Sequence, residues 1–411
     1  MKGTTWQRCT SCNRKVNGAD ARKRHKASGC KGTTATWAIK ADLGRDADGK
    51  RRQVVRAGFT SEAEAVRKLR ELLTKVDGGR YVEPTKTTLA DYLAEWLAAT
   101  APPKVAEATW SKRKDLLRRV TDRIGTTPLH DVNGATLDQL YASLARDGRA
   151  DGTPLAPSTV HDTHRTLHKA FADAVRWQQL DRNPCHQAEP PRADQVAADA
   201  RAARQSWSAA ELRRFLAGTA EHRHHAAFYV AATTGLRRSE LLGLRWQDVD
   251  LDAGSLRVVQ KLVRGRDRYE LVRAPKSAAG ARTVALDGAT MKVLRDHRRD
   301  QAAHRLAYQH QYRNHDLVFA ALDGAPLSPP ALTKAFRRAV SKVDVPAIRW
   351  HDLRHTHATL LLTSNTPVKV VAERLGHASP VVTLTTYAHV LPGQQAGAAA
   401  AFGALVAGSD V

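Results

Sequence analysis

The sequence predicts a mainly helical α+β chain of several domains, and three observations carry that prediction. From Thr88 to about Pro184, apolar residues recur at helical spacing in four stretches broken by G-T-T-P, D-G-R-A-D-G-T-P and R-N-P. Strand-like runs occur twice: Thr36 to Ala41 with Arg52 to Phe59 around a D-A-D-G turn, and SLRVVQ, YELVRAP and ARTVALD between residues 255 and 287. At 411 residues the chain has room for two or three ordinary cores.

Taken from the amino end, residues 1–34 read as a basic leader. Residues 35–80 read as a small sheet followed by one helix, which Ser61 and Glu64 open as a capping box and whose apolar stripe is Val66, Leu69, Leu73 and Val76. In the helical region, 87–184, the first face is Leu89, Tyr92, Leu93, Trp96 and Leu97, and the second is Trp110, Leu117, Val120 and Ile124. That second helix also carries Lys112, Arg113, Lys114 and Arg118, a basic cluster suited to a phosphate backbone or to a solvated face. Residues 185–206 are rich in Ala, Pro and charge without apolar period and read as a linker. The carboxy-terminal domain, 207–392, opens with a second capping box, Ser208 with Glu211, and is followed by an Ala-rich tail, 393–411.

The charge balance narrows the partner. The chain carries net +24 at neutral pH with a pI near 10.3, which favours an acidic polymer such as nucleic acid. Residues 1–60 hold 15 Lys and Arg against 4 Asp and Glu, whereas residues 351–411 balance at 3 against 3, so the cations gather at the amino end. No apolar run approaches the length of a membrane span, and the start MKGTTWQRCTSC lacks the apolar stretch of a signal peptide. The expectation is a cytoplasmic, nucleoid-associated protein with no membrane partner.

In that compartment cysteines serve as thiols or metal ligands. Cys9, Cys12, His25 and Cys30 have the spacing C-x2-C-x12-H-x4-C, which suits a tetrahedral structural zinc site in a segment too small to bury a core. Incidental thiols or a redox pair are the alternatives. The adjacent Arg22, Lys23, Arg24 and Lys26 would then touch phosphates.

The chemistry-bearing motifs lie in the last domain. They are TGLRRSELLGLRW at 234–246, APKSAAGARTVAL at 274–286, HDLRHTHATLL at 351–361 and ERLGHASPVVTLTTYAHV at 373–390. Together they resemble the tyrosine recombinases of the phage-integrase family, whose pattern is an arginine after T-G-x, a hairpin lysine, H-x-x-R, L-G-H and a tyrosine. The resemblance falls on Arg237, Lys276, His351, Arg354, His377 and Tyr387, and no position of the pattern is empty. It also implies that residues 35–80 form an arm-type DNA-binding domain and residues 87–184 a core-binding domain, with the catalytic domain after them.

The reaction accounts for these residue types. Attack on a phosphodiester concentrates negative charge on its oxygens, which Arg237 and Arg354 would meet as bidentate forks, with His377 as a third donor. Losing one such donor typically costs about 3 to 4 kcal/mol of barrier, roughly 100- to 1000-fold in rate. A tyrosine of ordinary pKa, about 10, needs a base, and His351 is the candidate; Lys276 suits the general acid for the leaving 5′ oxygen. Glu240, one helical turn after Arg237, is placed to orient it, and His355, His357 and His389 are neighbours without assigned work.

The resemblance further implies a 3′-phosphotyrosyl intermediate, no cofactor for catalysis, double-stranded attachment sites, a homotetramer coupled through the tail, and accessory partners: a DNA-bending host factor and an excision directionality factor. The expected function is a site-specific DNA recombinase of a phage or integrative element. A chromosome-dimer-resolving or transposon recombinase, a type IB topoisomerase and a non-catalytic DNA-binding regulator are the alternatives.

Overall fold

A computed structural model describes residues 3–16, 30, 35–45, 49–78, 81–82, 85–192, 194, 196, 198, 205–266, 268–273, 281–387, 399–400, 402–403 and 406. The chain divides into two compact units, Met1–Ala99 with Arg113–Pro190, and Thr100–Lys112 with Pro191–Val411.

The first unit begins with an antiparallel sheet in the order β1 (Gly3–Cys9), β2 (Ala35–Arg45), β3 (Arg51–Phe59). β1 lies inside the stretch that reads as a leader, and only its ends, Gly3 and Cys9, are buried, so alternation does not announce it. Its seven residues pair in register with β2, Cys9 opposite Ala35. Helix α1 (Glu62–Asp77) closes this sheet. Ser61 Oγ accepts the Glu64 N–H at 3.2 Å, while the Glu64 carboxylate accepts the N–H of Thr60, one residue before the cap. The fully buried positions are Ala65, Leu69 and Leu72, packed on Ile39 and Ala41, so the stripe is rotated from Val66, Leu73 and Val76, which are only half-buried.

Four helices follow, α2 (Leu89–Ala99), α3 (Glu107–Ile124), α4 (Gly134–Asp147) and α5 (Pro157–Arg176). Leu89, Tyr92, Leu93 and Trp96 interlock with Leu117, Val120, Leu137, Leu144, Leu167 and Phe171 in one core. Trp96 donates its indole N–H to Asp173 at 2.9 Å, and Lys169 and Arg176 neutralise that buried carboxylate. Cys185 packs into this core, so the first residues of the expected 185–206 linker belong to the helical domain instead. Pro184 starts a short 3₁₀ turn there, Pro184–Gln187, which burial of Cys185 then anchors. Lys112, Lys114 and Arg118 are exposed on α3, whereas Arg113 lies over the Trp96 ring at 5.3 Å.

In the second unit the Ser208–Glu211 capping box forms in both directions and opens α6 (Ala209–Gly218). Then come α7 (His225–Thr234), the single turn α8 (Arg238–Leu241), and strands β4 (Val249–Asp250), β5 (Ser255–Val258), β6 (Gln260–Arg264), β7 (Tyr269–Arg273) and β8 (Arg282–Ala285). β4, β5 and β8 form one antiparallel sheet and β6 with β7 a hairpin. Helices α9 (Gly288–Tyr308), α10 (Pro329–Val340), α11 (Asp352–Thr363), α12 (Val368–Leu375) and α13 (Pro380–Tyr387) complete the unit. Its core is aromatic: Trp207, Phe215, Phe228, Phe336 and Trp350 meet one another at centroid distances of 4.8 to 6.3 Å. A smaller cluster of Ala358, Leu362, Val371, Leu375 and Tyr387 seats α13 on α11 and α12. Lys276, His25 and His389 lie outside the described residues, as do Arg22 to Lys26 and most of the tail.

Candidate active site

The three sequence boxes of the second unit meet through backbone carbonyls. Gly235 ends α7 at φ 65°, a left-handed turn that glycine adopts without strain; a Cβ there would stand 2.7 Å from the His357 ring and 2.8 Å from Leu375. That turn aims the Gly235 carbonyl at Arg354, whose Nη1 donates to it at 2.7 Å, while Arg354 Nη2 donates to the Leu375 carbonyl at 2.7 Å. Arg237, at the start of α8, donates its Nη2 to the next carbonyl, Gly376, at 3.1 Å. Gly376 can offer that carbonyl because it too is left-handed, φ 67°, and stops α12. Two guanidinium groups 117 positions apart in sequence are thus held by adjacent peptide units.

One carboxylate organises these cations. Glu240, 8% exposed, accepts Arg237 Nη1 at 2.8 Å and the Arg237 N–H at 3.0 Å, and accepts Arg282 Nη2 at 2.9 Å. Burial alone would raise its pKa, but Arg282 and Arg237 outweigh that and hold it at about 2. Arg282 is itself buried and donates Nε to the Arg374 carbonyl at 2.9 Å. Arg374 in turn reaches Ala285 O and Thr233 O, both at 3.0 Å, and gives its Nε–H to His357 Nε2 at 3.1 Å. Burial, then Arg374, push the His357 pKa down to about 3.

The site is strongly cationic. Burial and the neighbouring Arg237 lower the Arg354 pKa to about 10, which still leaves it charged at neutral pH. Arg237 keeps 40% of its side chain open to solvent, so this cation faces outward where Arg354, 4% exposed, is enclosed. His377 is pushed down to about 4 by burial and by Arg354, Arg237 and Arg282, hence neutral at pH 7. Its Nδ1 meets the buried Thr383 hydroxyl at 2.7 Å, which fixes the ring and leaves Nε2 for another partner.

Tyr387 is buried, 4% exposed, and its hydroxyl lies 2.7 Å from His355 Nδ1. His351, expected at the phenol, instead sets its ring edge-on to His355 at a centroid distance of 5.1 Å. The two histidines are four residues apart on adjoining turns, and docking of α13 selects the second. Partial burial and the cations Arg354 and Arg237 hold the His351 pKa below the ordinary imidazole value. Of the expected site residues, Arg237, His351, Arg354, His377 and Tyr387 therefore gather in one region. His355, Arg282 and Arg374 belong to it as well; the H-D-L-R-H run is the sequence signal for His355, while Arg282 and Arg374 carry none and are placed by Glu240 and His357.

At the amino end, the Sγ atoms of Cys9, Cys12 and Cys30 all lie within 4.8 Å of one another, with Cys9 fully buried.

Comparisons with known proteins agree in kind. Residues 207–394 match the phage integrase family and residues 25–76 match an arm DNA-binding domain. A XerC-like tyrosine recombinase of Caldanaerobacter subterraneus subsp. tengcongensis is 26% identical over 88% of this chain and 94% of its own length, and an integrase of Streptomyces ambofaciens is 28% identical over 85% and 88%. In fold, the chain is similar to the Tn1549 transposon integrase solved with transposon right end DNA, at TM-score 0.61, 21% identity, and coverage of 73% of this chain and 94% of that one. A lambda integrase dimer on a COC′ core site gives TM-score 0.54 at 18% identity, covering 73% of this chain and 95% of that one.

Proposed function

This chain belongs to the phage integrase family of tyrosine recombinases, and from that membership we propose that it is a site-specific DNA recombinase of an integrative mobile element, cutting and rejoining strands through a covalent 3′-phosphotyrosyl link. The observation that carries the reading is the pairing of Arg237 and Arg354 on the adjacent carbonyls of Gly376 and Leu375, with Tyr387 bonded to the residue next to Arg354. The match to an arm DNA-binding domain supports an integrase that grips a second class of DNA site over an arm-less chromosome-dimer resolvase.

In the step we propose, Tyr387 Oη attacks the scissile phosphorus, the bond to O5′ breaks, and the phosphate stays on the tyrosine. Arg237 and Arg354 would hold the non-bridging oxygens, and neutral His377 would donate from Nε2. The phenolic proton goes to His355, the imidazole already within hydrogen-bond distance. His351, beside the arginines, is read as a further phosphate contact instead of the base, and Lys276 as the acid that protonates O5′. The retained bond energy serves religation, so tyrosine recombinases need no cofactor for this chemistry.

Tyr387 is 4% exposed, so the reading includes a shift of α13 that delivers Oη to the phosphate. A tetramer on paired attachment sites, coupled through residues 393–411, a DNA-bending host factor and an excision directionality factor are the partners we infer. No helix among the described residues is long and apolar enough to cross a membrane; nucleoid association is part of the proposal. A metal on the amino-terminal cysteines would be structural and stand apart from these steps.

Incubation with attachment-site DNA nicked beside the crossover tests the reading. A denaturation-resistant protein–DNA adduct should form with the unmodified chain, while Tyr387→Phe should bind the same DNA without forming one. An adduct with the Phe variant overturns the choice of nucleophile.

A further inference from the structure

We propose that Cys9, Cys12 and Cys30 bind one zinc-class ion that fastens the turn after β1 to the chain entering β2. Cys9 Sγ and Cys30 Sγ stand 3.8 Å apart, and all three sulfurs fall within 4.8 Å of one another. Tetrahedral zinc with Zn–S bonds of about 2.3 Å separates its sulfur ligands by about 3.8 Å. A disulfide needs about 2.05 Å, and it would leave the third thiol over.

The backbone is already turned to present two of the ligands. Asn13, next after Cys12, takes φ 61°, its N–H returns to the Cys9 carbonyl at 3.0 Å, and the Cys9 N–H donates to Arg14 O at 2.9 Å. Val16 N–H closes the same hairpin on Gln7 O at 2.9 Å. Cys30 is the third, five residues before Ala35, the β2 residue paired with Cys9.

The module has reason to use such a staple. Its fully buried cluster is five residues, Ile39, Ala41, Ala65, Leu69 and Leu72, of which two are alanine. β1 contributes no residue to that cluster; only its ends, Gly3 and Cys9, are buried. A core this small gains outright folding energy from a thiolate-bound metal. The sulfur donors choose a soft or borderline ion, zinc before magnesium or calcium. His25, the fourth ligand suggested by spacing, lies outside the described residues, and the proposal stands on the three sulfurs.

The consequence is for arm-site DNA, and this part rests on the recombinase reading above. Fastening the turn after β1 to Cys30 would brace the β1–β2 pair, so loss of the metal should weaken arm binding and leave cleavage chemistry alone.

The full chain, purified without chelator under reducing conditions, should contain one equivalent of zinc that a mercurial releases. Cobalt exchanged into it should show thiolate charge-transfer absorption in the near ultraviolet with intense visible bands. Cys9→Ser, Cys12→Ser and Cys30→Ser should each lose the metal, and Cys185→Ala, altered in a different core, should keep it. Metal-free unmodified protein whose thiols all react with reagent, or a reversible Cys9–Cys12 disulfide in place of metal, overturns the site whether or not any variant folds. On DNA, Cys30→Ser should bind an arm-site duplex roughly tenfold more weakly and still form the Tyr387 adduct on nicked core-site DNA. Equal arm binding by metal-free and metal-loaded protein overturns the arm role, whereas an unmodified chain with metal but no adduct sinks the recombinase reading alone.

Discussion

Arg282 Nη2 lies 2.9 Å from Glu240 Oε2, and the same carboxylate takes Arg237 Nη1 at 2.8 Å. A buried anion between two guanidiniums lets one of them, Arg237, stand half-exposed to solvent while the other, Arg282, carries the link to Arg374. Removing the anion leaves cations uncompensated in a poorly solvated place, at a cost of about 3 to 5 kcal/mol.

Glu240→Gln should therefore destabilise the second unit and slow adduct formation together. The pH dependence has a definite sign. The folded carboxyl titrates at about 2, below its ordinary value, so its stabilising contribution is full above about pH 4.5 and is lost as pH falls toward 2. Urea unfolding of both proteins between pH 6 and pH 2.5 should show their stabilities converging on the acid side. A constant gap would mean that the carboxylate charge is not what stabilises.

Arg237 and Arg354 should separate on mutation. Arg237→Ala removes a half-exposed donor and opens to water the Gly376 carbonyl and the Glu240 carboxylate that it holds, so adduct formation should fall roughly 100- to 1000-fold with a smaller drop in unfolding temperature than at Arg354. Arg354→Ala also orphans the buried carbonyls of Gly235 and Leu375, and should lose both activity and stability, the latter by about 1 to 3 kcal/mol for each unsatisfied group. Single-turnover cleavage beside thermal melts distinguishes the two. Equal stability losses would deny Arg354 its bracing role.

The acid side of the stability profile should also carry His357. Its folded pKa of about 3 lies below that of a free imidazole, so the unfolded chain takes up a proton that the native chain refuses between about pH 6.5 and 3. Stability is present above about pH 6.5 and declines as pH falls, by up to about 1.4 kcal/mol per pH unit for this residue. His357→Gln, which retains an acceptor for Arg374 and cannot titrate, should flatten that slope in pH-dependent melts. An unchanged slope would move the effect to other groups.

Much of this site was legible because its chemistry restricts residue type. Arginines after T-G-x and within H-x-x-R, a glycine needed at φ 65°, and a second before His377 leave a trace that spacing preserves. The capping residues Ser61 and Ser208 were legible for the same local reason. What escaped depends on contacts distant in sequence. β1 has almost no buried side chains and exists because β2 pairs with it; Arg282 and Arg374 look like ordinary surface cations until Glu240 and His357 close on them. The rotation of α1 onto Ala65 and Leu72 turns on small residues whose burial periodicity does not weigh.

The choice between His351 and His355 escaped for that reason too, and it yields the sharpest prediction. Both rings project from the start of α11 toward the same region, and only the seating of Tyr387 against Leu362, Val371 and Leu375 decides which one meets the phenol. With His355 Nδ1 at 2.7 Å from the hydroxyl, His355→Phe keeps a ring of similar width and removes the acceptor. Adduct formation on nicked DNA should drop by about 100-fold or more, in the range of a lost general base, with DNA affinity unchanged. His351→Phe should instead weaken phosphate contact, and its loss should appear in affinity for the scissile site as well as in rate. If His351→Phe abolishes cleavage without touching affinity while His355→Phe cleaves normally, the proton leaves through His351 and the contact at His355 serves only to seat the tyrosine.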